Sequence, residues 1–176
     1  MKLLPNFLSA ARLLIAPYFF WLLWTRQYPI ALALGLFAGL TDALDGLLAR
    51  RFGASSRVGA YLDPVADKIL LSGSFLTLAL AGAIEPWLAF LILGRDVLIL
   101  LFVGFAFILT SRRDFPPSIW GKLSTAAQIA LILTFLTYSA HLTGPILFEF
   151  FKWTAAVLTA WSALHYAWLG RSMMKR

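Results

Sequence analysis

The sequence contains no cysteine and only two histidines. The missing thiols exclude disulfide bonds, thiolate nucleophiles and zinc sites built on cysteine. Charged residues are also scarce, at 13% of the chain, whereas hydrophobic residues make up 61%. Soluble domains have about 25% charged and about 45–50% apolar residues. This composition predicts that most of the chain lies in lipid.

No low-complexity stretch, internal repeat or long linker interrupts the chain, so nothing in it predicts a second domain. The hydrophobic residues form six runs, each close to or above the roughly 20 residues that cross a bilayer as a helix. Short links with turn-forming residues separate the runs. We expect an all-α protein, a single domain over residues 1–176, with six transmembrane helices near Pro5–Trp24, Tyr28–Arg50, Gly59–Gly82, Pro86–Leu109, Ser118–Ala140 and Gly144–Leu169.

The formal net charge of +7 raises the question of nucleic-acid binding, but the positions of the basic residues argue against it. If both termini face the cytoplasm, most basic residues of the loops and ends fall on that side, as the positive-inside rule expects. They are Lys2, Arg50, Arg51, Arg57, Arg112, Arg113, Arg171, Lys175 and Arg176. The sequence therefore predicts a multi-pass cell-membrane protein with no nucleic-acid partner.

Two pairs of aspartates stand inside apolar runs, where a charge costs at least about 2.5–3.5 kcal/mol. Asp42 and Asp45 are spaced i, i+3, and Asp63 and Asp67 are spaced i, i+4, so each pair shares one helix face. A short loop joins the two helices, which lets the four carboxylates converge toward the cytoplasmic side. Crowded carboxylates either become protonated or bind cations. Oxygen ligands favour Mg²⁺, Mn²⁺ or Ca²⁺, and we expect two divalent cations, with Mg²⁺ preferred.

The residues around these aspartates carry a resemblance to a known family. In order they are Asp42-Ala-Leu-Asp45-Gly46-Leu-Leu-Ala49-Arg50, then Gly59, Asp63 and Asp67. The pattern is similar to the signature of the CDP-alcohol phosphatidyltransferases at every defined position, and the resemblance covers the whole chain. It implies an integral membrane enzyme that transfers the phosphatidyl group of CDP-diacylglycerol to an alcohol and releases CMP. It also implies a homodimer.

The resemblance implies a role for each residue of the motif. Asp42, Asp45, Asp63 and Asp67 would hold the two cations, and Asp67 would also be the general base for the acceptor hydroxyl. The CDP group of the donor would be surrounded by Asp45, Gly46, Ala49, Arg50, Gly59 and Asp63. Arg57 is a further candidate on the donor side, because a guanidinium forms charge-assisted hydrogen bonds to phosphate.

The basic candidates also have simpler interpretations. The four aspartates could form buried ion pairs with Arg50, Arg57 and Lys68, although ion pairing does not require the glycine and alanine positions. Lys68, Arg95 and Lys122 are the candidates for binding a phosphorylated acceptor. Arg95 could equally pair with Asp96, and the side chain of Lys122 could extend to the membrane interface without a catalytic role.

One residue and one pair of residues near the side of the membrane opposite the aspartates are expected to have no catalytic role. His141 falls in a loop far from the aspartates and is not expected to be catalytic. Glu149 and Lys152, spaced i, i+3, are expected to form a pair on the surface of the last helix.

The sequence leaves two alcohols as candidates for the acceptor. Glycerol 3-phosphate, which would give phosphatidylglycerophosphate, is the first choice because family members that use this acceptor are abundant. Phosphatidylglycerol, which would give cardiolipin, is the alternative, and the Gly94-Arg95-Asp96 and Leu123–Gln128 stretches favour it. A membrane ion or solute transporter could also use intramembrane acids, but inverted repeats or interrupted helices would be expected. A prenyltransferase would need a second aspartate-rich motif, and none follows Asp67.

Overall fold

The structure is a computed structural model of the chain. It describes the backbone of residues 4–52, 57–109 and 118–174, and the side chains of residues 13–41, 66–102, 104 and 118–168. The described backbone contains six α-helices and no strand: α1 Leu4–Trp24, α2 Tyr28–Phe52, α3 Arg57–Leu80, α4 Pro86–Leu109, α5 Ile119–Ser139 and α6 Pro145–Met174. For this part of the chain, the predicted all-α class and the number of helices are confirmed.

Helices α1, α3 and α5 end in the same backbone motif. After α1, the N–H of Arg26 donates to the carbonyl of Leu23 at 3.2 Å, and the N–H of Gln27 donates to Leu22 at 2.9 Å. This is the Schellman pattern, which satisfies the last carbonyls of a helix. The turn residue has a positive φ each time, at Arg26 (59°), Gly82 (64°) and His141 (59°). His141 therefore lies in the tight turn that ends α5.

The first compact unit, Met1–Ala83, is built around α1, which packs against both α2 and α3. Gly73 of α3 lies against the ring of Phe20 on α1, and a Cβ atom at this position would require the ring to move. The buried apolar residues of this unit are Ala16, Phe19, Leu22, Leu23, Ala31, Leu32, Ala66, Phe75 and Leu78.

The second compact unit, Ile84–Arg176, is built around α6, which packs against α4 and α5. Near the start of α6, the ammonium of Lys152 lies 2.8 Å from a carboxylate oxygen of Glu149 and 3.0 Å from one of Glu85. The expected Glu149–Lys152 pair is present, but the expectation that it lies on the surface is wrong for the lysine, which is 6% exposed. Lys152 is buried because it also connects α6 to the residue before α4.

Large apolar side chains are exposed on all six helices, among them Leu14, Phe37, Leu80, Phe90, Ile119 and Ile146. Such extensive exposed apolar surface fits a protein surrounded by lipid. In the described residues, one helix, Ile119–Ser139, is long and apolar enough to cross a membrane, with a mean hydropathy of 1.4. Two shorter apolar stretches are Leu13–Trp24 and Tyr28–Thr41. That all six helices cross the membrane stays a prediction.

Candidate active site

The four aspartates, here called the acidic motif, lie on two helices of the first unit. Asp42 and Asp45 belong to α2, and Asp63 and Asp67 belong to α3. Each helix is continuous through its pair, so the members of a pair are separated by about one turn. Most of the predicted donor and metal site lies outside the described side chains, namely Asp42, Asp45, Gly46, Ala49, Arg50, Arg57, Gly59 and Asp63.

Asp67 is the member of the acidic motif whose side chain the structure describes. Its side chain is exposed, whereas the preceding Ala66 is buried and the following Lys68 is partly buried. Burial changes this quickly because successive residues on a helix point in directions about 100° apart. Asp67 is therefore accessible to a substrate or to water, which the role of general base requires.

The predicted metal ligands are four carboxylates, with no histidine or thiolate among them. Oxygen donors of this kind suit Mg²⁺ or Mn²⁺, so the chemistry of the residues fits the predicted cations. Among the side chains that the structure describes, no group of three or more acidic, histidine or cysteine residues could hold a metal ion. The predicted site thus depends on Asp42, Asp45 and Asp63 together with Asp67.

A buried ion pair lies in the second unit. Arg95 and Asp96 on α4 are 4% and 5% exposed, and Arg95 Nη1 donates to Asp96 Oδ1 at 3.0 Å. Arg95 also donates to the hydroxyl of Ser162 on α6, from Nε at 3.3 Å and from Nη2 at 3.2 Å. These partners compensate for the cost of burying the charge. The interpretation that Arg95 pairs with Asp96 is confirmed, and an acceptor phosphate at Arg95 would have to replace one of these partners.

The first turn of α5, Ser118–Lys122, is held by several side chains. Ser118 is the N-cap, and its Oγ accepts from the N–H of Gly121 at 3.0 Å. The N–H of Ser118 donates to the hydroxyl of Tyr166 at 3.1 Å, and Arg95 Nη2 donates to the carbonyl of Gly121 at 3.2 Å. Lys122 is exposed. Arg95 therefore binds the backbone of the residue immediately before Lys122, which is another acceptor candidate.

A second layer of polar side chains is buried between α5 and α6. Ser124 and Thr159 are fully buried, and their hydroxyl oxygens lie 3.1 Å apart. Gln128, also fully buried, donates from Nε2 to Thr159 at 3.1 Å and to Ser124 at 3.3 Å. Within the described residues, Gln128 Oε1 is the buried side-chain oxygen that has no hydrogen-bond partner. This layer connects the same two helices as the contacts at the first turn of α5.

None of Thr159, Ser162 and Tyr166 was expected from the sequence. The signal that would find them is their spacing of i, i+3 and i+7 on α6. The facing residues of α5, Gly121, Ser124 and Gln128, have the same spacing. Small and polar residues repeated in this way within an apolar helix indicate contact with another helix.

Residues 2–161 match the model of a family described as CDP-alcohol phosphatidyltransferase. The matched range includes the complete acidic motif and the first turn of α5. It covers well over half of the 176 residues.

The relatives of the chain include proteins named for transfer to glycerol 3-phosphate and proteins named as cardiolipin synthases. A CDP-diacylglycerol–glycerol-3-phosphate 3-phosphatidyltransferase of Aquifex aeolicus is 38% identical over 69% of this chain and 68% of the relative. A protein of the same name in Haemophilus influenzae is 32% identical, with 93% of this chain and 90% of the relative covered. The human cardiolipin synthase (CMP-forming) is 33% identical over 93% of this chain, which spans 61% of that relative.

Proposed function

Because the chain belongs to the CDP-alcohol phosphatidyltransferase family, we propose that it transfers the phosphatidyl group of CDP-diacylglycerol to glycerol 3-phosphate and releases CMP. Membership confirms the resemblance seen in the acidic motif and makes the chain a transferase of phospholipid biosynthesis. The observation that carries the proposal is the family match over residues 2–161. Relatives named for transfer to glycerol 3-phosphate support the choice of acceptor.

We assign the metal and donor sites to α2 and α3. Asp42, Asp45, Asp63 and Asp67 would hold two divalent cations, with Mg²⁺ preferred and Mn²⁺ possible in its place. When bound, the cations would supply positive charge for the diphosphate and for the CMP leaving group. The CDP group would be bound by Asp45, Gly46, Ala49, Arg50, Arg57, Gly59 and Asp63, where the arginines offer hydrogen bonds to phosphate.

Asp67 would be the general base. The acceptor hydroxyl oxygen forms a bond to the phosphorus of the phosphatidyl group, and the bond from that phosphorus to CMP breaks. The hydroxyl proton passes to the Asp67 carboxylate, which later returns it to water. The exposure of Asp67 supports this role, since the base has to meet both acceptor and water. A single displacement of this kind needs no covalent enzyme intermediate.

Lys68, Arg95 and Lys122 are the candidates for binding the acceptor phosphate. Lys122 has the strongest support, because it is exposed and lies in the first turn of a 21-residue helix. The N-terminal end of a helix carries a partial positive charge that attracts anions. An ammonium at this position adds a full charge, which suits the phosphate of glycerol 3-phosphate.

Cardiolipin synthesis from phosphatidylglycerol is the second candidate function. The observation that favours it is the human cardiolipin synthase relative, whose similarity extends over 93% of this chain. Phosphatidylglycerol is also anionic, so the basic residues fit either acceptor. A membrane ion or solute transporter remains the remote alternative, and it would release no CMP.

The membrane arrangement is part of the proposal. We propose a cell-membrane protein with six transmembrane helices, both termini in the cytoplasm, and the acidic motif toward that side. The exposed apolar side chains on every helix and the distribution of basic residues support it. The proposed homodimer rests on the family resemblance.

The test is an assay of the purified protein with CDP-diacylglycerol and Mg²⁺. Glycerol 3-phosphate, phosphatidylglycerol and inositol phosphate are supplied separately, and both CMP and the lipid product are measured. The proposal predicts CMP and phosphatidylglycerophosphate with glycerol 3-phosphate. Cardiolipin formed from phosphatidylglycerol, with no reaction of glycerol 3-phosphate, would establish the second candidate. If no acceptor led to CMP release, both enzyme functions would be contradicted.

A further inference from the structure

We infer that Tyr166 and Ser162 of α6 are positioning residues for acceptor binding, because with Arg95 they hold the first turn of α5 and thereby fix Lys122. This inference rests on the proposed function, in which the exposed ammonium of Lys122 meets the acceptor phosphate. Neither α6 residue carries charge, and their effect on the acceptor passes through the backbone of Ser118–Lys122.

The first turn of a helix is normally its least constrained part. Its first amide groups have no partner within the helix, and helix ends fray. Here Tyr166 accepts from the N–H of Ser118 at 3.1 Å, and Arg95 donates to the carbonyl of Gly121 at 3.2 Å. Backbone groups at both ends of the turn are thus bound to side chains of two other helices, α6 and α4.

Ser162 fixes the arginine that makes the second of these contacts. Its hydroxyl accepts from both Nε and Nη2 of Arg95, at 3.3 Å and 3.2 Å, while Asp96 binds Nη1 at 3.0 Å. The guanidinium is therefore held in one orientation, with Nη2 directed at Gly121. Loss of the Ser162 hydroxyl would leave Arg95 buried and still bound to Asp96, but the orientation of its guanidinium toward the carbonyl would be less restricted.

Gly121 shows how closely these groups surround the backbone. A Cβ atom at this position would lie 3.3 Å from Arg95 Nη2, 3.3 Å from the Tyr166 hydroxyl and 3.4 Å from Ser118 Oγ. A side chain here would require the guanidinium and the phenol to shift by a few tenths of an ångström. The next residue is Lys122, whose own N–H donates to the carbonyl of Ser118 at 3.1 Å.

The residues that hold the first turn of α5 differ in burial from Lys122, and this difference indicates a role in binding. Arg95, Ser162 and Tyr166 are all buried, whereas Lys122 is exposed. A fixed backbone therefore carries an accessible cation. Fixing a binding group before the ligand arrives lowers the ordering cost of binding. This benefit should apply to the acceptor phosphate that Lys122 contacts, and the affinity for CDP-diacylglycerol should not depend on it.

The test measures KM for each substrate separately in the full-length protein. Tyr166→Phe removes the hydroxyl that accepts from Ser118, and Tyr138→Phe makes the same change near the other end of α5. Loss of one hydrogen bond corresponds to about a three- to tenfold change in an equilibrium constant. We expect the acceptor KM to rise by about that factor in Tyr166→Phe, with the CDP-diacylglycerol KM unchanged and with Tyr138→Phe like wild type. Ser162→Ala should resemble Tyr166→Phe, and Ser162→Thr, which keeps a hydroxyl, should recover part of the loss.

A double-mutant cycle tests whether the effect passes through Lys122. Lys122→Gln should raise the acceptor KM, and adding Tyr166→Phe should change it little further, since coupled residues are not additive. Full additivity would overturn the inference, as would an unchanged acceptor KM in both Tyr166→Phe and Ser162→Ala. An equal rise in both KM values with a lower melting temperature would indicate a purely structural role and also overturn it. Failure of the proposed function would appear differently, as a wild-type protein that releases no CMP with any acceptor.

Discussion

Two aspartates in this chain each stand beside a basic residue on a helix, but their surroundings differ. Asp67, next to Lys68 on α3, is exposed. Asp96, next to Arg95 on α4, is 5% exposed and accepts from the neighbouring guanidinium at 3.0 Å. The exposed carboxylate can exchange a proton with ligand or water, whereas the buried one neutralises a fixed charge. Similar local sequences thus supply a candidate for chemistry in one unit and a structural ion pair in the other.

Substitution of Asp67 should have the largest effect on catalysis. Asp67→Asn keeps the size of the side chain and one oxygen but removes its basicity, and loss of a general base costs roughly 10²–10⁴ in rate. We expect turnover to fall by that factor while CDP-diacylglycerol still binds. Asp42→Ala is the comparison, because it removes a metal ligand entirely and should weaken donor binding as well. Wild-type turnover in Asp67→Asn would show that the proton leaves by another route.

Substitution of Asp96 should have the largest effect on stability. Asp96→Asn leaves the guanidinium of Arg95 buried without its counter-charge, and breaking a buried ion pair costs about 3–5 kcal/mol. Reversible unfolding in detergent should show a decrease of that order in the free energy of unfolding. The matched control is the double variant Arg95→Met with Asp96→Leu, which removes both charges and should be less destabilised. If Asp96→Asn unfolds like wild type, the pair contributes little.

Two substitutions in the polar layer between α5 and α6 should have smaller effects on stability. Thr159→Val keeps the shape but removes the hydroxyl that contacts both Ser124 and Gln128, which should cost about 1–3 kcal/mol. Gln128→Leu removes the side chain whose Oε1 has no partner in the described structure and leaves Ser124 and Thr159 bonded to each other. We expect it to change the free energy of unfolding by less than about 1 kcal/mol. If Gln128→Leu lost more stability than Thr159→Val, these roles of the two side chains would be contradicted.

The smallest expected effect is the pH dependence that comes from Glu85. The hydrogen bond from Lys152 lowers the pKa of this carboxyl below its ordinary value of 4.5. Its contribution to stability is therefore complete above that value and is lost as the pH falls through the lower pKa of the folded state. Glu85 is about half exposed, so the contribution should be below about 1 kcal/mol. In Glu85→Gln, the free energy of unfolding should depend less on pH below pH 4.5 than it does in the wild type. If the two proteins show the same dependence on pH, Glu85 makes no such contribution.

The number of helices and their approximate bounds followed from the lengths of the apolar runs. Lipid requires long hydrophobic segments, and turn-forming residues such as Pro86 and Pro145 stand where α4 and α6 begin. The acidic motif could also be found in the sequence, because its residues are close in the chain and match the signature of the family. The geometry of its side chains stays a prediction, and for Asp67 the structure gives the exposure of the side chain.

The contacts in the second unit could not be predicted in the same way. Arg95 and Ser162 are 67 residues apart, and Ser118 and Tyr166 are 48 residues apart. A serine or tyrosine in an apolar helix has many possible partners, and only the packing of α6 against α4 and α5 selects one. The same packing explains why Lys152, expected on the surface, is buried beside Glu85.

We propose above all that four carboxylates on α2 and α3 bind divalent cations that take part in phosphatidyl transfer. The most direct test is CMP release from CDP-diacylglycerol by the purified protein, measured in excess chelator and again after a divalent cation is restored. Because the predicted ligands are all oxygen atoms, we expect activity to vanish and to return with Mg²⁺ or Mn²⁺. Full turnover in excess chelator would show that phosphatidyl transfer does not need these cations.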